Sequence, residues 1–185
     1  MIAGLYKAFD HWHKRGTVWI YSDPHFGDKE LQEKIKRRPS DLEQVRNINS
    51  KVGKHDTLII LGDVGDIKYA RMLKGYKVLL LGNHDHGVSY YEDVFDEVYS
   101  GPLFIGERVL LSHEPIDFDY ALNIHGHLHF PKKKYLDDKH FNVCAEAIDY
   151  MPINFNQLIK SGRLAHIQSI HRKTINRATE RKRGK

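Results

Sequence analysis

Five apolar runs in this chain end in the same way. Val18-Trp19-Ile20-Tyr21-Ser22 runs into Asp23-Pro24-His25, and Thr57 to Leu61 runs into Gly62-Asp63. Val78 to Leu81 breaks at Gly82 and delivers Asn83, His84, Asp85 and His86 in a row. Val109 to Ser112 runs into His113, and Ala121 to Ile124 runs into His125-Gly126-His127-Leu128-His129. Each run has the length and composition of a buried strand. In open α/β sheets the carboxyl ends of the strands are where ligands bind. One strand ending in polar residues is only suggestive. Five of them predict a single site assembled from many strand ends.

Between the runs the pattern changes to helices. Asp28 to Arg37 and Asp41 to Val52 read as helices separated by Pro39, with Ser40 and Glu43 forming a capping-box pattern at the second. Ile67 to Lys74 and Ser89 to Phe95 read as short helices, and so does Phe155 to Lys160. Leu5, Phe9 and Trp12 give the N-terminal segment an apolar stripe at helical spacing. From Val98 onward short strands and turns dominate, with Gly106-Glu107 as a hairpin turn. The first half is therefore βαβαβ and the second half is β-rich.

At 185 residues the chain suits one domain with a substantial core. No apolar run approaches the about 20 residues of a membrane span, and the charged N-terminus does not read as a secretory signal. The expected partner list therefore excludes a membrane. The single cysteine, Cys144, precludes an internal disulfide framework and fits a reducing, cytoplasmic setting. Cys144 itself reads as a small core residue. The formal net charge is +5, but it is unevenly spread. Residues 160–185 hold nine Lys or Arg and one acid, which leaves 20 bases and 23 acids elsewhere, a net of −3. The reading is a single domain over 1–160 followed by a basic tail over 161–185, which either keeps the protein in solution or contacts nucleic acid. No aromatic follows Phe155, so base stacking by the tail is unsupported.

The order Asp, His, Asp, Asn, His, His, His along the strand ends offers carboxylate, amide and imidazole donors, a set that suits an intermediate divalent cation. Seven donors exceed one tetrahedral ion. They suit two ions about 3.5–4 Å apart sharing a carboxylate, the arrangement used to transfer a phosphoryl group to water.

The motifs Asp23-x-His25, Gly62-Asp63, Gly82-Asn83-His84-Asp85, His113 and Gly126-His127-x-His129 resemble, in order, those of the calcineurin-like metallophosphoesterases, in particular small uncapped bacterial and phage-type members. The resemblance spans about Val18 to Asn156. It implies a four-layer α/β/β/α sandwich of two mixed β-sheets flanked by helices. It further implies that Asp23, His25 and His129 hold one metal and that Asn83, His113 and His127 hold a second. Asp63 would bridge the two. His84 would be the catalytic acid beside them, with Asp85 orienting it. Asp28, where small members often carry His, is a departure from the pattern.

The expected chemistry is hydrolysis of a phosphodiester or phosphomonoester by a metal-bridging hydroxide, with His84 protonating the leaving oxygen. Two divalent ions are expected, Mn²⁺ foremost, with Fe²⁺, Ni²⁺ or Zn²⁺ compatible. Two other readings are nucleic-acid end processing aided by the tail and a catalytically silent scaffold. The intact donor set argues against the second. His125 is expected to support the ligands from behind, and His86 either touches substrate or lies at the surface. Arg37-Arg38 and Lys132-Lys133-Lys134 read as solvated charged loops or as catchers of an anionic substrate.

Overall fold

A computed structural model describes residues 5–130 and 132–169. Among these residues nine strands form two sheets. β1 (Val18–Tyr21), β2 (Thr57–Ile60), β3 (Tyr76–Leu80) and β4 (Glu97–Tyr99) run parallel, and β9 (Ile153–Asn154) closes the other edge antiparallel to β1, in the order β4-β3-β2-β1-β9. The second sheet has the order β5-β6-β7-β8. In it β6 (Val109–Ser112), β7 (Leu122–His125) and β8 (His140–Asn142) are parallel, and β5 (Leu103–Gly106) pairs antiparallel with β6. Both sheets are thus mixed, as expected.

The two-residue period of a strand explains how the layers meet. Val18 and Ile20, Ile59 and Leu61, and Val78 and Leu80 face inward and join Val109, Leu111, Leu122, Ile124 and Val143 of the other sheet in one core. The alternate residues Tyr21, Leu58, Ile60 and Leu79 face outward and meet Val45, Ile48, Val52, Ala70 and Leu73. Those partners come from α3 (Asp41–Lys51), α4 (Ile67–Ala70) and the turns after them. The runs at β1 to β3 are apolar throughout because both faces are covered.

The second sheet turns a more polar outer face, with Ser112, Asn123 and His125 alternating with the core residues. Asn123 accepts from the Ile116 amide at 2.7 Å and donates to Ser112 Oγ at 2.8 Å. Loop 114–121 is thereby tied to this face.

Several expected helices are shorter than their patterns. The segment after Asp28 is helical only over α2 (Lys29–Lys34), with Asp28 accepting from the Leu31 amide as its N-cap. The Ser89 to Phe95 segment forms a 3₁₀ turn at Val88–Tyr90 and then further turns. It still delivers Tyr91, Val94 and Phe95 to the core, at the i, i+3, i+4 spacing of one helical turn. At the N-terminus a 3₁₀ turn (Lys7–Phe9) leads into α1 (His11–Arg15), and Phe9 and Trp12 join the core between the sheets. No helix among the described residues is long and apolar enough to cross a membrane.

The basic segment is not uniform. Ile167 is buried, Arg108 donates to the Leu164 and Ile167 carbonyls, and the Arg163 guanidinium lies over the Phe141 ring. Residues up to 169 therefore pack on the domain. The rest of the tail, 170–185, lies outside the described residues.

Candidate metal centre

β1, β2, β3, β6 and β7 all release their chains at the same end of the two sheets, and the polar residues after them converge there. Two groups form. Asp23, His25 and His129 bring donor atoms within 4.8 Å of one another, and so do Asp63, His113 and His127. Asn83 joins the second group: its Oδ1 lies 2.8 Å from His113 Nε2 and 3.0 Å from His127 Nδ1. Asp63 stands between the groups, with Oδ2 3.3 Å from His25 Nε2 and 3.4 Å from His113 Nε2.

The donors fit a pair of cations. His113 Nε2 and His127 Nδ1 face each other at 3.2 Å beside a carbonyl oxygen, so lone pairs converge on one point. His25 Nε2 is buried and, apart from its 3.3 Å approach to Asp63 Oδ2, makes no hydrogen bond of good geometry. Buried polar atoms are rarely left so, and a neutral imidazole nitrogen is the commonest protein ligand of a metal ion. Burial pushes the Asp63 carboxyl up, but contacts from His113 and His25 outweigh it and hold the acid well below its usual range. Burial pushes His113 down, while Asp63 and Asp23 raise it to about 9. The Asp63 carboxylate gathers imidazoles, whereas burial pushes the Asp23 carboxyl up; divalent cations would replace the protons these groups hold.

The local backbone is unusual at the candidate ligand positions themselves. Asp23, His25, Asp63 and His127 all have positive φ, between 42° and 63°. Non-glycine residues held in this region cost roughly 1–3 kcal/mol each and cluster at functional sites. Neighbouring contacts hold them there. The Asp23 carboxylate accepts from the His127 amide at 2.9 Å, and the Asp63 Oδ1 accepts from the His84 amide at 2.9 Å. The motif glycines serve close approach. A Cβ at Gly82 would fall on the Asp63 carboxylate, and one at Gly126 would fall on Ser22 Oγ and the Asp23 carboxylate.

His84 is exposed at the rim, its ring 5.6 Å from that of His25. Asp85 takes a different place from the expected one beside the His84 ring. Its carboxylate accepts from the amides of Asp63, Val64 and Gly82 at 2.8–2.9 Å and from the Tyr91 hydroxyl at 2.8 Å. It therefore clamps the Gly62-Asp63 turn to the Gly82-Asn83 turn. The reason is the amide-rich neighbourhood: three unpaired N–H groups at two tight turns outcompete one exposed ring.

His125 departs from expectation too. It is fully buried on the outer face of the second sheet, its Nδ1 beside the Gly126 carbonyl and its ring edge-on to Tyr135 and His140. Burial pushes it down to about 4, so it is neutral. The strand ends at His125, and the positive φ of His127 breaks the alternation that would have put the two rings on one face. His86 is exposed and packs on Tyr90. Lys132, Lys133 and Lys134 are exposed, and Lys134 pairs with Asp117. Arg37 is exposed, but Arg38 is buried, so it is neither solvated nor free to catch substrate.

Arg38 pairs with Glu146, a residue the motifs did not single out, and Glu146 Oε2 lies 2.8 Å from His129 Nδ1. Burial pushes the Glu146 carboxyl up, but His129 and Arg38 outweigh it and hold it at about 2. Cys144 is buried as expected, with Sγ 3.1 Å from Glu146 Oε2. The stretch around it, Phe141-Asn142-Val143-Cys144-Ala145-Glu146, carries no motif that marks Glu146 out.

Comparison with solved structures gives two likenesses. A protein of unknown function from Aquifex aeolicus, AQ665, is 26% identical with a TM-score of 0.66, covering 78% of this chain and 98% of that one. The Pseudomonas putida nuclease MPE is 22% identical with a TM-score of 0.45, covering 64% of each chain. No curated protein matches the chain at a significant level. The profile of the calcineurin-like phosphoesterases matches residues 16–181. With the two mixed sheets and flanking helices, that match over most of its length means the chain belongs to the calcineurin-like phosphoesterase family.

Proposed function

We propose that this protein hydrolyses a phosphodiester or phosphomonoester at a two-metal centre. Asp23, His25 and His129 hold one ion and Asn83, His113 and His127 the other, with Asp63 shared between them. The observation that supports this most directly is the place of Asp63 Oδ2, nearly equidistant from His25 and His113 at 3.3 and 3.4 Å. When bound, two divalent ions supply Lewis acidity to the phosphoryl oxygens and lower the pKa of water. The imidazole-rich set suits Mn²⁺, Fe²⁺, Ni²⁺ or Zn²⁺ better than Mg²⁺.

The chain's own residues do the rest. Asp85, through three turn amides, keeps the Asp63 and Asn83 side chains at one distance from each other. His84 has its amide fixed on Asp63 Oδ1 and its ring exposed beside His25, where it can reach the leaving oxygen of a bound ester and donate a proton to it. There is no Ser or Cys nucleophile in the group: Cys144 is buried, and burial first, then Asp23 and Glu146, pushes its thiol up. Direct transfer of the phosphoryl group to water is the simpler reaction.

The test is metal content together with turnover. The full chain, stripped by chelator and reloaded with Mn²⁺, should bind two ions and hydrolyse nitrophenyl phosphoesters. Asp63→Asn should weaken both ions and lower turnover at least 10³-fold, since catalysis by a two-metal clamp is lost with its shared ligand. One ion at saturation in the unmodified protein, or near-normal turnover in Asp63→Asn, would refute it.

A further inference from the structure

The Arg38–Glu146 pair lies behind only one of the two groups of donors. Its side chains are almost wholly shielded, 0% exposed for Arg38 and 9% for Glu146. One Glu146 oxygen takes the guanidinium, and the other faces His129 Nδ1. The other terminal nitrogen, Nη2, donates to the main-chain carbonyls of Asp23 and Pro24, and Nε is buried without a hydrogen-bond partner. Pro24 is also held by Gln44, whose own carbonyl takes the Tyr21 hydroxyl. Arg38 thus connects three things: the acid behind His129, the residue Asp23, and the peptide that leads into His25. These are the three members of the first group. No described contact joins Arg38 or Glu146 to Asn83, His113 or His127.

A buried carboxylate and a buried guanidinium each cost several kcal/mol to desolvate, and burying such a pair is seldom the most stable choice for a core. The arrangement therefore calls for an explanation other than stability. With Nδ1 committed to a carboxylate, His129 keeps its proton on that nitrogen and has Nε2 left as a ligand atom. Metal-bound imidazoles commonly donate their other N–H to a carboxylate, which fixes the ring and raises its basicity. Arg38 supplies what Glu146 lacks, a countercharge that keeps it ionised in a dry setting, and it sets the main chain of Asp23 and Pro24 at a fixed distance from that same carboxylate.

We infer that Arg38 and Glu146 are positioning residues dedicated to the first ion, so that the two metal sites are set independently: the Asp23–His25–His129 site through this pair, the Asn83–His113–His127 site without it. The inference rests on the two-metal reading above. It also competes with a different use of the same atoms. His129 Nδ1, Cys144 Sγ and Glu146 Oε2 lie within 4.8 Å of one another and could themselves bind a metal ion. Two facts favour the positioning role: Arg38 already neutralises Glu146, and the thiol's hydrogen bond to Glu146 Oε2 engages the oxygen such an ion would need.

The test uses the full chain, stripped of metal and titrated with Mn²⁺ while bound and free ion are followed by electron paramagnetic resonance. Glu146→Gln keeps the shape, and should lower the affinity of one of the two sites by about 10- to 100-fold, the usual effect of losing such a supporting carboxylate. The other site should be unchanged. In an Asp23→Asn background, which removes the first site, Glu146→Gln should have no further effect on Mn²⁺ binding. Arg38→Met should reproduce the selective loss, and Arg38→Lys should recover part of it. Cys144→Ala should leave both affinities as they are. Thermal melting of each metal-free variant separates misfolding from a local effect, and Glu146→Gln, being isosteric, is the variant on which the result turns.

Equal weakening of both sites by Glu146→Gln, or no weakening in a folded variant, would overturn the inference. So would a thiolate-to-metal charge-transfer band on titration with Co²⁺, which would make Cys144 and Glu146 ligands. If the unmodified protein binds a single ion, the two-metal reading fails first; if it binds two and Glu146→Gln binds them equally well, only this inference does.

Discussion

At the scale of single residues, His84 is the one whose role can be tested by substrate chemistry alone. Nitrophenolate, whose conjugate acid has a pKa of about 7, leaves readily without a proton. An alkyl or ribose alkoxide does not, and general acid catalysis is worth about 10²–10⁴-fold for such groups. His84→Asn should therefore lose most of that range on an alkyl or nucleotide ester and clearly less on a nitrophenyl ester, with both metal ions retained. Equal losses on the two esters would point instead to charge stabilisation by the imidazolium. Asp85→Asn should behave differently from a weaker His84 defect. Because Asp85 holds the turn amides of Asp63, Val64 and Gly82, its loss should reduce the melting temperature and the metal affinity together. A half-buried charged acceptor of several amides contributes about 1.5–3 kcal/mol per lost bond at most, so a fall of several degrees is the expected reading.

At the scale of elements, strand ends carry the site and glycines make the strand ends possible. Gly126→Ala would drive a Cβ into Ser22 Oγ and the Asp23 carboxylate. Ser22 cannot yield easily, since its hydroxyl is bonded to the Leu61 carbonyl at 2.6 Å. The substitution should cost about 1–3 kcal/mol, as overpacking does, and should abolish the first Mn²⁺ site before the second; calorimetry and metal analysis of the same sample would show it. This is also where the sequence was most legible. Runs such as Thr57 to Leu61 are unambiguous because both faces are buried, and each ends in a ligand type where parallel strands end. The helices were less legible: the Asp28 to Arg37 pattern stops at Lys34, since Arg38 must turn inward to reach Glu146. Glu146 itself was invisible to pattern reading, because one acid after a short run looks like any turn residue. Its meaning comes from the buried Arg38, more than a hundred positions away in the chain.

At the scale of the whole molecule, charge is divided between a mildly acidic body and a basic C-terminal segment. Because residues up to 169 pack on the domain, a fair test of the tail removes only residues 170–185. If the tail holds nucleic acid, that deletion should abolish a binding that falls steeply with salt, and it should leave turnover of a nitrophenyl diester nearly unchanged. A second global property, acid stability, has a visible origin away from the candidate metal centre. Glu97, at the edge strand β4, accepts from the Trp12 indole at 3.0 Å, contacts His11 Nε2 at 2.5 Å and takes the Tyr99 hydroxyl at 2.5 Å. It thereby fastens the N-terminal helix to the sheet. Burial pushes its carboxyl up, but these partners outweigh it and hold it below the ordinary value of about 4.5. An acid depressed by folding contributes stability that is fully present above its unfolded value and disappears as the pH falls through its folded one. The melting temperature of the unmodified protein should therefore exceed that of Glu97→Gln by a few degrees at pH 7, on the order of 1 kcal/mol. The gap should hold down to about pH 5 and close below about pH 4.5. A gap that stayed constant into strong acid would show that Glu97 acts through shape and hydrogen bonding alone, and that its charge contributes nothing to holding the N-terminal helix on the sheet.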